Sequence, residues 1–152
     1  MDEILNRYKN INRGYRQLEV WKEAIELFVF VKKKIQTIIS ISFKTKAQIE
    51  DSALSCSSNI AEGYCRRSLK ENINFVNYAL ASLGENYTRL FALLKSADID
   101  KEWFDEYDKK LFSLENKLIQ FNKSMIAKLD SNDWHSDYTI REAIEHYNAD
   151  SK

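Results

Sequence analysis

The residues of this chain best placed to do chemistry lie between Ser58 and Glu71, in the stretch SNIAEGYCRRSLKE. Arg66, Arg67 and Lys70 bring three cations close together there. The chemistry they offer is oxyanion recognition, because a guanidinium is a planar fork that donates two parallel hydrogen bonds to a phosphate. A helix that begins at Ser68 would add free backbone N–H groups and the positive end of its dipole. Arg13 and Arg16 precede the first predicted helix, and Lys123 and Lys128 close the fourth. In an antiparallel bundle these positions share one end. Arg66, Arg67, Lys70, Arg13 and Arg16 are therefore the candidate contacts to RNA or DNA. The same residues also admit a plainer reading, in which the arginines are solvated or pair with Glu62 and its neighbours.

Other chemistries find little support. A di-iron bundle site needs glutamates on two helices and Glu-x-x-His on two others. The two histidines, His135 and His146, both fall near the C-terminus. Glu142 and His146 would share a helix face, but one such pair binds metal poorly. Cys56 and Cys65 form no C-x-x-C pair, and no thiolate cluster suggests zinc. No glycine-rich phosphate loop is present. No metal, no cofactor and no enzymatic activity are expected. Asn59, Glu62, Gly63, Ser68 and Glu71 read instead as a structural corner that presents the arginines. Gly63 would end one helix in the left-handed conformation. Ser68 and Glu71 would form the S-x-x-E capping box of the next.

The elements that must hold this corner are helices. The chain has 152 residues, three Gly and no Pro, so little interrupts a helix. Leu18, Trp21, Ile25, Phe28, Ile35 and Ile39 mark an apolar stripe on the first helix. Beside it LFVFV, Leu27 to Val31, is apolar on most sides, which suggests a second contact surface. SISFKTK, Ser40 to Lys46, reads as a loop. The second helix turns Ile49, Ala53, Cys56 and Ile60 inward. Ile73, Val76, Leu80, Leu83, Tyr87, Leu90 and Leu94 stripe the third; Phe104, Tyr107, Leu111, Leu114, Leu118, Phe121 and Met125 the fourth. The expectation is an all-α, antiparallel up-down-up-down four-helix bundle over residues 1–129. Its helices span about 17–40, 47–62, 68–97 and 100–129, with the second the shortest. Residues 130–152 form a C-terminal tail with room for one short helix.

The 23 basic and 23 acidic residues cancel, which argues against non-specific coating of nucleic acid but leaves room for a local basic face. Five lysines between Leu27 and Ile49 stand at one loop end, opposite the acid-rich run Asp98 to Glu115. The two runs either neutralise one another within a subunit or pair across an interface between subunits. The charged opening MDEILNRYKN does not read as a signal peptide, and no apolar run is long enough for a bilayer. Free thiols in a reducing cytoplasm are expected.

LEVWKEAIEL and SALSCSSNIAEGYCRRSLKENINFVNYALASLGE together resemble the four-helix bundle proteins encoded in intervening sequences of bacterial 23S ribosomal RNA genes. Leu18, Val20 and Trp21 match the opening of the family pattern. Ser55, Ser58 to Tyr64 and Arg66 to Ser68 match its corner; Ser57 replaces a usual Pro and Cys65 a usual Gly. The resemblance spans roughly Tyr15 to Leu129. It implies a homopentameric ring. A related branch, the accessory variability proteins of diversity-generating retroelements, binds nucleic acid and a reverse transcriptase through a strongly basic barrel. The neutral charge of this chain departs from that branch. A protein-protein scaffold is the alternative expectation.

Overall fold

The computed structural model describes residues 1–131. A short helix, α1 (Asp2–Asn6), and a 3-10 turn (Ile11–Gln17) lead into four long helices: α2 (Glu19–Thr37), α3 (Phe43–Cys65), α4 (Leu69–Lys95) and α5 (Lys101–Asp130). α3 packs on both α2 and α4, and α5 closes the bundle against α4 and α2. The pairings run antiparallel. Between α3 and α4, Ser55 meets Ser82 while Ile49, one turn and a half earlier, meets Asn86. Between α4 and α5, Asn77 meets Asn122 and Asn86 meets Tyr107. Lys34 of α2 reaches Asp100 at the start of α5, and Glu19 reaches Lys117. The chain is thus an all-α helical bundle, as its glycine- and proline-poor sequence suggested. The predicted tail, with His135, His146 and Glu142, lies outside the described residues.

The core is one apolar seam. The predicted inward residues of α3, Ile49, Ala53, Cys56 and Ile60, are all buried, as are six of the seven on α5; Phe121 is half-buried. α2 differs. Its buried face is Val20, Ala24, Leu27, Val31 and Ile35; Ile35 is as expected, and the other four lie one position round from the expected stripe. Trp21, Ile25 and Phe28 are only half-covered, and Ile39 is 96% exposed beyond the helix end. The large aromatic residues flank the seam because small Ala24 lets α2 approach its neighbours. LFVFV finds its second surface within the subunit: Phe30 stacks on Trp103 with ring centroids 5.1 Å apart, and only Val29 is left exposed. On α4 the predicted Val76, Leu83 and Leu90 are buried, but Ala79, Asn86 and Leu93 join them on the side away from the expected stripe, and Ile73, Leu80, Tyr87 and Leu94 lie half-buried on the flank.

Several boundaries differ from the sequence-based expectation. α3 starts at Phe43, because the Ser42 hydroxyl accepts a hydrogen bond from the Thr45 N–H at 3.1 Å. That N-cap outweighs the β-branched character of the segment. α2 is consequently the shortest bundle helix, with 19 residues against 23 in α3. Gly63 does not terminate α3: it has no positive φ, is buried, and the helix continues to Cys65. Gly63 is needed for close approach, since a Cβ there would stand 2.6 Å from Cβ of Phe75 on α4. At the far end, Asp98 accepts hydrogen bonds from Ser40 and Ser96, tying the two loops together. With the Lys34–Asp100 bridge at 2.7 Å, this joins part of the lysine-rich run to the acidic run inside one subunit.

Candidate functional site

α3 ends, and within three residues α4 begins. Arg66, the C-cap of α3, keeps helical geometry. Arg67 takes φ 56°, the left-handed region that glycine would occupy at no cost. Ser68 is extended and caps α4, its hydroxyl accepting from the Glu71 N–H at 3.4 Å. Only this half of the expected capping box forms. The Glu71 carboxylate faces Arg66 instead, at 3.7 Å.

The two arginines therefore do different things. Arg66 donates to Glu62 one helical turn back at 2.8 Å and lies 5.3 Å over the ring of Phe75. Its guanidinium is held even more firmly in the charged state by the Glu62 hydrogen bond. Half-exposed and flanked by two carboxylates, it carries little net positive charge outward. Arg67 is less exposed and turns toward the 3-10 turn, where Nη2 donates to Oδ1 of Asn12 at 3.4 Å. Its Nη1 is buried with no partner among the described residues. Arg16 is also occupied: its guanidinium donates to the carbonyl of Arg7 at 2.8 Å and to those of Ile4 and Tyr8, clamping the lead-in against the bundle. Arg13 is exposed and donates to the carbonyl of Tyr8 at 3.2 Å. Lys70 is exposed.

Asn59 is half-buried, its amide donating within α3 to Ser55 O at 2.8 Å and Ser55 Oγ at 3.1 Å. Ser55 in turn meets Ser82 of α4 at 2.9 Å. Glu62 is exposed and serves Arg66 rather than a buried network. The polar network inside the bundle lies two turns away and escaped the sequence reading. Asn86, fully buried, donates to Ile49 O and Ser52 Oγ, each at 3.0 Å, and accepts from the Tyr107 hydroxyl at 2.7 Å. Burial pushes the Tyr107 phenol far up, so it remains a donor. Cys56 is buried and its thiol is pushed up to about 12 by desolvation, which makes it an inert core residue. Cys65 lies 3.4 Å from the Asn12 carbonyl. Among the described residues no group of three or more His, Cys, Asp or Glu is placed to hold a metal ion, and no helix is long and apolar enough to cross a membrane.

The corner binds the lead-in to the bundle as well as α3 to α4. Tyr64 packs its ring edge toward Tyr15, centroids 6.3 Å apart, and its hydroxyl fills the space that a side chain at position 14 would need. The chain is a small antiparallel four-helix bundle whose corner is stitched by a Glu–Arg–Glu cluster. Residues 16–120 match the family described as 23S rRNA-intervening sequence protein, well over half of the chain, and the chain belongs to that family. No curated protein matches it.

Proposed function

We propose that this protein is a non-enzymatic, self-associating bundle that acts as a scaffold. One observation carries the reading. Phe112, Ile119 and Ile126 recur every seventh residue on α5 and are 64%, 39% and 42% exposed. An apolar stripe at heptad spacing on an outer helix face is the usual form of a helix-to-helix contact between copies. The resemblance to ring-forming proteins sets the expected number at five. LFVFV, which α5 and the core already cover, contributes only Val29. Light scattering at micromolar concentration should give a species several times the 17.9 kDa chain mass. Phe112→Glu/Ile119→Glu should return it to the chain mass with unchanged helix content. A wild-type protein that runs at 17.9 kDa overturns the reading.

A second reading, contact with RNA or DNA, draws on Lys70 and Lys128, which are exposed and take part in none of the ion pairs among the described residues. A ring would repeat such a weak patch and raise its effective concentration. Arg66, held between two carboxylates, is a poor contributor. Titration against structured RNA and single-stranded DNA at two salt concentrations tests this. Binding that falls steeply with salt and is lost in Lys70→Glu/Lys128→Glu supports nucleic-acid contact. Absence of binding at low salt leaves the scaffold.

A further inference from the structure

The corner encloses a pocket of about 260 Å³. Ile11 of the 3-10 turn, Leu18 ahead of α2, and Phe121 and Met125 of α5 give it an apolar body. Its two charged wall residues, Arg67 and Lys128, are both cations. No carboxylate lines it, and the nearby Glu62 and Glu71 face Arg66. Ser68 and Leu69, the first residues at the α4 N-terminus, complete one wall. Ser68 caps the Glu71 N–H, and the dipole end of the helix is positive.

Arg67 is the telling residue. It holds a left-handed backbone that costs a non-glycine residue roughly 1–2 kcal/mol. One of its terminal nitrogens makes a long hydrogen bond to Asn12, and the other is buried without an acceptor. A buried cationic donor left unsatisfied is unfavourable, so both features disfavour the folded state as it stands. An oxyanion in the pocket would neutralise the pair of cations that line it. The apolar walls need an apolar body attached to it, since a bare hydrated anion gains nothing from Leu18, Phe121 or Met125.

We infer that this pocket binds a small amphipathic anion, its carboxylate or phosphate head on Arg67 and Lys128 and its short apolar body between Ile11 and Leu18 on one side and α5 on the other. The chain supplies its own reporter. Met1 and Met125 are the only methionines; Met1 is 95% exposed and Met125 lines the pocket. With methyl-13C-methionine protein, sodium octanoate or octyl phosphate should shift the Met125 methyl resonance saturably and leave Met1 in place. Whichever of the two binds more tightly identifies the head. Arg67→Gly removes the guanidinium and suits φ 56°, so it should fold at least as well as wild type. It should weaken binding roughly ten- to hundredfold, the worth of a charge-assisted hydrogen bond. Neither acid shifting Met125, octanol or inorganic phosphate binding as tightly as both acids, or Arg67→Gly binding like wild type would each overturn the inference.

Discussion

Two glycines in helix interiors ask opposite things of a methyl group. At Gly63 a Cβ would stand 2.6 Å from Cβ of Phe75 and 2.9 Å from the Asn72 side-chain oxygen. The Phe75 atom is fixed to its backbone and cannot swing aside. Alanine gains about 1 kcal/mol of helix propensity over glycine, but overpacking costs about 1–3 kcal/mol. Gly63→Ala is therefore expected to lower the denaturant midpoint by forcing α3 from α4. Gly84 is exposed and a Cβ there meets nothing within 4 Å. Gly84→Ala should raise stability by about 0.5–1 kcal/mol, and the contrast in sign separates close approach from propensity. Tyr107 makes a third residue-level case. Its hydroxyl is the donor that satisfies Oδ1 of buried Asn86 at 2.7 Å. Tyr107→Phe should cost about 1–3 kcal/mol by orphaning that oxygen. Asn86→Leu combined with Tyr107→Phe should cost less than the two single losses added together, because no orphan remains. Urea denaturation of the four proteins checks this.

Element by element, legibility follows residue size and polarity. The inward faces of α3 and α5 were readable because their apolar residues recur at three and four, and of the positions named only Phe121 is less than buried. α2 was misphased by weight given to Trp21 and Phe28, when small Ala24, fully buried, lies at the middle of the inward face. α4 hides an asparagine at its centre, and no pattern of apolar residues announces Asn86. The corner was legible as a corner, and the four-residue spacing of Glu62 and Arg66 already admitted the ion pair. The inward turn of Arg67 was not, because it depends on a backbone angle and on Asn12, 55 positions away. The opposite end carries a prediction about pH. Asp98 is held below the usual carboxylate range by hydrogen bonds from Ser40 and Ser96, and Asp100 by Lys34 and then by the Trp103 N–H it caps. A carboxylate lowered in the folded state stabilises it at every pH above the unfolded value of about 3.9 and stops doing so as pH falls through the lowered value. Thermal stability should thus decline on acidification below about pH 4. Asp100→Asn keeps a competent N-cap but has no charge to lose. It should show a shallower acid limb than wild type, with the difference reduced in Lys34→Met, where only the Trp103 N–H still favours the carboxylate.

At the scale of the whole molecule the chain is neutral overall yet divided: two cations line the pocket at one end, and acids N-cap and flank α5 at the other. Net repulsion between copies is small in such a molecule, so nothing electrostatic at long range opposes association through the α5 stripe. Association then becomes part of stability. If Phe112, Ile119 and Ile126 are covered only in an assembly, unfolding releases separate chains and mass action favours the folded ring at high concentration. For a multi-subunit ring this contributes about 1 kcal/mol per chain for each tenfold rise in concentration. In a chain of this size that corresponds to about 2–4 °C in Tm. Wild-type Tm should climb by that amount between micromolar and tens of micromolar protein. Phe112→Glu/Ile119→Glu should melt at one temperature throughout. A concentration-independent wild-type Tm, with a monomeric mass, would mean that the stripe faces water in solution, and the exposed aromatic on α5 would then need a different partner to explain it.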